Sequence, residues 1–334
     1  MTPAAFPAPG ARAQAAASVE AHAAFMAALP ARHDQLARLI GAKPFHYVDI
    51  PVHGNIGDLL IFLGTLEFFR AKGLAPKVIA PAFAYRSRWI GRGDVVVFHG
   101  GGNFGDLYAG SGSHALRETI AQTHPGNRII VLPQTFHFST AAERHASARR
   151  FRGHPDLHIC VRDESSRQMA LEFSDNVYLV PDMAHQLYPV RARRGASGAG
   201  TLLLSRTDDE KTAEAARMGE GFPLKSDWPQ VVGARERRID LFRRAMRRAA
   251  RGGLGPFGSR VLGRAWAAYA NRLIGDAVDL FAASDHVVTD RLHGHILACL
   301  MDKPSTVVDN FYGKNFSYVN AWTAGSGLVT LHGR

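Results

Sequence analysis

Short β-branched, apolar runs alternate along this chain with stretches of helical periodicity, and that alternation commits the backbone to parallel α/β construction. The first half reads as strands Tyr47–Ile50, Val78–Ile79, Val95–Phe98, Ile129–Leu132, Ile159–Val161 and Val177–Val180, with helices Leu59–Lys72, Ala115–Gln122 and Ser165–Phe173 between them. A polar, Arg/Gly/Ser-rich stretch from Val190 to Gly200 has the composition of a linker. Strand Leu202–Ser205 then opens a second half. It continues with a basic helix, a Gly-rich break at Arg251–Gly255, a long helix from Val261 to Ala283, strand His286–Thr289, helix Gly294–Leu300, strand Ser305–Val308 and a closing segment Phe316–Trp322. The expected fold is α/β with two facing Rossmann-like domains: residues 1–40 a tail and leading helix, 41–190 the N-terminal domain, 191–200 the linker and 201–334 the C-terminal domain. Hydrophobic residues fill 46% of the 334 positions, enough for two cores of ordinary size.

In open α/β sheets, ligands bind beyond the carboxyl ends of the strands, so the loops that follow strands carry the functional expectation. After His286–Thr289 comes Asp290-Arg291-Leu292-His293-Gly294-His295, which sets an arginine, two histidines and an aspartate around one strand-to-helix junction. An arginine there offers a permanent forked cation for phosphate or carboxylate, and a histidine moves a proton near neutral pH. The junction suggests an anionic substrate. A zinc site of His293, His295 and Asp290 is the competing reading, although no further set of ligands supports it and no metal is expected. Earlier, His53-Gly54-Asn55-Ile56-Gly57-Asp58 leads into a helix whose first amides favour anions. The run His99-Gly100-Gly101-Gly102-Asn103-Phe104-Gly105-Asp106 formally contains GxGxxG, but on the third strand and without the acidic ribose partner of a dinucleotide site. A tight turn and a glycine-lined ligand floor remain the two readings of it. Arg162 and Arg206, each just after a strand, are placed to point guanidinium groups into an inter-domain crevice.

The net charge of +11 calls for anionic partners. Much of the excess lies between Arg235 and Arg251, where Ile239, Phe242, Met246 and Ala249 recur at helical spacing, giving a basic amphipathic helix. Such a helix is either a solvated face or a contact with an anionic membrane surface. No zinc finger, aromatic RNA-binding signature or recognition helix is evident, so nucleic acid is not an expected partner. No apolar window reaches the roughly 18 residues of a membrane span, and the Ala/Pro-rich opening Thr2–Ser18 reads as a mobile tail, in a cytoplasmic protein. Cys160 and Cys299, far apart, are expected to be buried thiols.

Taken in order, Gly54-Asn55-Ile56-Gly57-Asp58, Phe98-His99-Gly100-Gly101-Gly102-Asn103-Phe104-Gly105-Asp106, Val161-Arg162-Asp163-Glu164-Ser165, Ser205-Arg206-Thr207-Asp208-Asp209-Glu210 and Asp290-Arg291-Leu292-His293-Gly294 resemble the polysaccharide pyruvyltransferase family over roughly Tyr47 to Trp322. The resemblance implies a two-domain arrangement like that of GT-B glycosyltransferases, work in exopolysaccharide assembly, and transfer of pyruvate from phosphoenolpyruvate to two sugar hydroxyls with no metal or other cofactor. It carries Arg291, Leu292 and His293 to the donor site, with Arg162 and Arg206 as further anion contacts. His293 becomes the general acid, and Asp58 or Asp106 the base on the acceptor side, beside Asn55, Gly101, Gly102 and Asn103. The Arg-rich segment Arg235–Arg272 departs from the family pattern and suits a lipid-linked oligosaccharide acceptor at the inner membrane face. A GT-B glycosyltransferase using a nucleotide sugar shares the architecture and is the alternative; a non-catalytic scaffold at the membrane is a third.

Overall fold

The computed structural model describes residues 9–193, 198, 200–207, 222, 224–253, 255–309 and 313–333. Residues 1–8 and 208–210, within the expected tail and the Ser205–Glu210 motif, lie outside them, as does part of the expected linker.

The alternating runs resolve into two parallel sheets. The first holds β1 (Phe45–Val48), β2 (Val78–Ala80), β3 (Val95–Phe98), β5 (Ile129–His137), β6 (Leu157–Val161) and β7 (Asn176–Leu179) in the order β2-β1-β3-β5-β6-β7, with β4 (Gly101–Gly105) paired to β5. The second holds β8 (Thr201–Leu204), β9 (Leu224–Ser226), β10 (His286–Thr289), β11 (Ser305–Val307) and β12 (Val329–Leu331) in the order β12-β11-β10-β8-β9. Strand order reverses between β1 and β3 in one sheet and between β8 and β10 in the other. These reversals leave a crevice at the strand ends of each sheet.

Several boundaries differ from expectation for local reasons. Strand β1 stops at Val48 because Asp49 turns the chain at φ 67, a conformation no strand continues through. Strand β5 runs past the expected Leu132 to His137, and because Pro133 has no N–H to give, its ladder to β6 shifts register between Val131 and Gln134. Helix α3 (Ile56–Ala71) starts three residues early, where the Asn55 side chain accepts from the Gly57 amide. Helix α1 (Pro9–Ala28) begins inside the expected mobile tail, and α2 (Asp34–Ile40) follows it. His22 of α1 bonds the Cys299 carbonyl at 3.0 Å and Met26 is fully buried, so this leader is packed against the second half. Between β4 and β7 lie α4 (Ser113–Thr123), α5 (Ala141–Phe151) and α6 (Glu164–Ala170). Helix α5 has too few apolar residues to register as periodic; Thr140, accepting from the Glu143 amide, marks its start.

The second half contributes α7 (Trp228–Val232), α8 (Glu236–Arg251), α9 (Gly255–Ala282), α10 (Leu292–Leu300) and α11 (Lys314–Trp322). One apolar cluster joins both sheets, with Tyr47, Leu60 and Val97 in the same core as Leu204, Val287 and Leu297. Helix α9 crosses to the first sheet, where Gly263 lies on Ile79 and Trp266 Nε1 donates to the Pro51 carbonyl at 2.7 Å. Cys160 and Cys299 are buried free thiols, as expected. No helix among the described residues is long and apolar enough to cross a membrane.

The tightest contact of α3 is with the 3₁₀ turn Met183–Leu187, where a Cβ on Gly64 would stand 2.2 Å from the Met183 carbonyl oxygen. Backbone cannot yield as a side chain can, so Gly64→Ala should lower unfolding free energy by about 1–3 kcal/mol in chemical denaturation. Gly153→Ala, with nothing near its added methyl, should fall within about 0.5 kcal/mol of wild type.

Candidate active site

The strand ends of both sheets open onto one cleft of about 510 Å³. The first sheet lines it through residues that follow β1 (Asp49, Asn55, Asp58), β3 (His99, Gly102, Asn103) and β6 (Arg162). The second sheet supplies Arg206 after β8, Trp228 after β9, Arg291, Leu292 and His293 after β10, and Lys314 at the start of α11. Nine of the eleven residues expected from sequence therefore meet in one place. Gly101 and Asp106 do not line it.

Asp106 is corrected from a candidate base to a structural residue. Its carboxylate accepts from the Ser139 amide at 2.8 and 2.9 Å and from the Ser139 hydroxyl at 2.5 Å, which joins the end of β4 to the end of β5. Gly101, at φ 124, packs behind the lining against Ile61 and Asp58. The glycine-rich loop is itself partly strand β4, and its glycines answer first to packing: a Cβ on Gly105 would meet the His137 carbonyl oxygen at 1.8 Å. Gly102 is different, because it faces the cleft. The point its Cβ would occupy is 3.5 Å from both Arg162 Nη2 and Lys314 Nζ, so two cations from the two halves converge beside Gly102. Asn103 fixes this floor. Its Oδ1 accepts from Arg117 at 2.8 Å and Gln134 at 3.1 Å, while Arg117 also binds the Asp49 carboxylate at 2.7 Å in the β1–β3 crevice.

Arg162 is buried and oriented rather than extended into solvent. Its Nε donates to Thr135 at 2.8 Å and its Nη1 to Asp182 at 2.5 Å. The same Asp182 oxygen lies 3.3 Å from His293 Nε2, so one carboxylate links the first half to the second. Burial alone would raise the pKa of Asp182, but His293, Arg162 and the Ala184 amide outweigh it and hold the carboxyl well below the usual range. Asp182 stays ionised around neutrality, and its carboxylate orients the His293 ring through Nε2. Gly57 sets the other face of that ring, since an added Cβ would lie 2.6 Å from His293 Nδ1.

Arg291 is held in the same fashion by Asp227, which it meets through Nε and, at 2.7 Å, through Nη2. Burial would raise the Asp227 pKa, but the hydrogen bonds and charge of Arg291, with Thr207 and the Trp228 amide, lower it overall. Asp290, expected beside the arginine, instead accepts from the Arg206 amide at 2.9 Å and the Ser205 hydroxyl at 3.2 Å, tying the two loops of the β8–β10 crevice together. As in any helix, the first amides of α10 lack intrahelical acceptors, and its N-cap Arg291 supplies no side-chain acceptor. An anion at that end is therefore favoured. Asp58 lies 3.7 Å from His53, the two lining the first-sheet side of the cleft.

His295 turns away from His293 into the core, bonding Ser305 at 3.1 Å and Thr323 at 2.8 Å, so the zinc reading lacks its geometry. Sequence reading missed Asp182, Asp227, Lys314 and the cleft-facing arginines of the basic helix, Arg243 and Arg247. The available signal for both aspartates was a cap: Asp182 accepts from the Ala184 amide at 2.9 Å and Asp227 from the Trp228 amide at 2.7 Å. Nothing in a capping pattern reveals the second partner.

Comparison with known proteins gives a consistent outcome. The sequence profile of the family described as polysaccharide pyruvyl transferase matches residues 55–310. The Bacillus subtilis protein named "Putative pyruvyl transferase EpsO" is 35% identical over 291 residues, covering 84% of this chain and 85% of that one. Pyruvyl transferase 1 of Schizosaccharomyces pombe is 26% identical, covering 86% of this chain and 72% of its own. Among solved structures, the uncharacterised protein KP1_0663 of Klebsiella pneumoniae superposes with a TM-score of 0.62 at 19% identity, over 92% of this chain and 99% of that one, a likeness of fold.

Removing the Asp182 charge strands Arg162 in a buried site, so Asp182→Asn should cost about 3–5 kcal/mol of unfolding free energy at neutral pH. The folded pKa is depressed, so this contribution is complete above the unfolded value of about 3.9 and is lost as pH falls toward the folded one. Denaturation of both proteins at several pH values should show a constant gap down to about pH 5 and a shrinking gap in stronger acid. A gap that widened on acidification would contradict the assignment.

Proposed function

The chain belongs to the polysaccharide pyruvyl transferase family, and from that premise we propose that it moves pyruvate from phosphoenolpyruvate onto two hydroxyls of a sugar in an exopolysaccharide precursor, forming a cyclic ketal and releasing phosphate. The observation that supports this reading best is the convergence of Arg162, Arg206, Arg291 and Lys314 on the cleft that also holds His293 and its Asp182 partner. Phosphoenolpyruvate carries a carboxylate and a phosphate on one small frame, and a set of oriented cations matches it without reorganisation during reaction. The two-sheet arrangement then works in the GT-B manner, with the second sheet on the donor side and the first on the acceptor side.

In this reading Arg291 and the amides of Leu292 and His293 hold the donor, and Arg162 with Lys314 takes its far end. His293 delivers a proton to the methylene carbon, with Asp182 orienting its ring. The cation that results at C2 is attacked by the first hydroxyl oxygen, whose proton Asp58 accepts. The second hydroxyl then bonds C2 as the bond from C2 to the phosphate oxygen breaks. His293 has then given its proton to the new methyl group, Asp58 holds the proton of the first hydroxyl, and the proton of the second leaves on the phosphate; exchange with solvent returns a proton to His293 and removes one from Asp58 before the next turnover. In this reading Asn55 orients the acceptor, and Asn103 supports the floor beneath it through Arg117 and Gln134.

Phosphate release that depends on a glycan acceptor tests the proposal. Arg291→Ala and His293→Ala should each lower it by at least about 10³-fold with the fold retained; full activity in either would remove the assigned role. Calorimetric titration should show binding of phosphoenolpyruvate in preference to UDP or GDP sugars, and the opposite preference would return the chain to the nucleotide-sugar alternative. Gly57→Ala, which pushes on the imidazole without touching substrate, should lower kcat/KM by about 10²-fold through misplacement of His293.

A further inference from the structure

Helix α8 divides its residues into three stripes, of which one is buried, one lines the cleft and one is exposed. Ile239, Met246 and Ala250 are buried and fix the helix to the core. Arg243 and Arg247, four residues apart, line the cleft, the first donating to the Val52 carbonyl at 2.7 Å and the second lying 5.0 Å over the Phe83 ring. The third stripe, Arg237, Arg244, Arg248 and Arg251, is exposed together with Leu241, which is 63% exposed. Past the Gly252-Gly253 turn, the first turns of α9 carry Phe257 at 69% and Val261 at 48% exposure, four residues apart, with Arg260 stacked 5.5 Å from the Phe257 ring. Among the described residues these are the three most exposed large hydrophobic side chains, and all three belong to this one helical corner. Among the described residues, no carboxylate pairs with Arg237, Arg244, Arg248, Arg251 or Arg264.

We propose that the α8–α9 corner docks on an anionic lipid surface, with Phe257, Val261 and Leu241 entering the acyl boundary and the surrounding arginines meeting the headgroup phosphates. Each half of the pattern is unfavourable in water and both are relieved at such an interface: the apolar tips leave solvent, and the uncompensated cations gain counter-charge. An RNA strand would satisfy the arginines but leave aliphatic Leu241 and Val261 in water, so it accounts for only half of what is exposed. A protein partner would need an acidic surface with apolar pockets, whereas a bilayer supplies both without shape matching. Because the inner stripe of the same helix lines the cleft, a chain docked this way brings the cleft wall close to the lipid surface. That placement suits a glycan acceptor carried on a lipid, and it extends the proposed function by naming the acceptor's class of carrier.

Vesicle binding tests this without turnover, so its failure is separate from failure of the catalytic reading. The full chain is sedimented at about 0.15 M salt with vesicles of phosphatidylcholine alone or with about one-third phosphatidylglycerol. Binding is expected to the mixed vesicles only. F257S/V261S, which alters no charge, and R244E/R248E/R251E should each weaken it by at least about tenfold. Thermal unfolding near that of wild type would establish that both variants fold, and both should keep wild-type phosphate release with a soluble oligosaccharide. The proposal is overturned if the wild-type chain ignores the mixed vesicles, if it retains RNA instead, or if either variant binds them as wild type does.

Discussion

The carboxylate of Asp182 is the point on which the cleft depends. It sits after β7 in the first sheet, yet it orients a side chain on α10 of the second. Its backbone amide meets the Tyr318 hydroxyl at 3.1 Å, and that hydroxyl also meets His185, so the carboxylate's position is set by groups from both halves. A buried carboxylate without partners would be neutral, and a buried arginine without one would be forced toward water. Together they allow two charges to stand at the base of the cleft, and the remaining interaction is directed at the one side chain there suited to moving a proton. The cost of burying the ion pair is thus offset by the placement of His293.

The second sheet repeats the device with different topology. Arg291 follows β10 and is held by Asp227 from the end of β9, two strands away across β8. In both halves an aspartate that caps a helical turn also aims an arginine. Pairing lowers the net positive charge of the cleft, which weakens long-range attraction for an anion, but it removes the freedom of two long side chains before any ligand arrives. For a small, multiply charged donor, fixed donors are worth more than loose ones, because orientation is the quantity a transition state rewards.

The fold was legible to the extent that it rests on apolar periodicity. β3 and β10 fall where their Val-rich runs end, and the loops after them hold the residues expected to act. Legibility failed where backbone geometry or distant partners decide. Asp49 ends β1 through a positive φ, which a β-branched run does not announce. Asp106 and Asp58 look alike in sequence, each closing a glycine-rich motif, but only Asp58 lines the cleft, because β4 pairs with β5 and carries Asp106 to Ser139. His295 and His293, two residues apart on one helix, face opposite ways for the simple reason that two residues of helix turn the side chain through more than half a circle. The zinc reading treated them as neighbours, which a helix starting at Leu292 forbids.

The glycine-rich segment brings the two kinds of information together. Its density of glycine suggested either a turn or a ligand floor, and both readings apply at different residues. Gly105 is required by the approach of β4 to the β5 backbone, so that glycine concerns the sheet. Gly102, one register step into the cleft, meets no backbone, and the gap between Arg162 Nη2 and Lys314 Nζ lies beside it. Two like charges brought toward one point repel each other unless something negative stands between them, and each is fixed to a different sheet. Arg162 stands there already paired with Asp182, and an anion entering the gap would meet a cation from each half. The His293–Asp182 contact, at 3.3 Å, belongs to the same cleft, so the cations and the imidazole are held by one set of linked side chains.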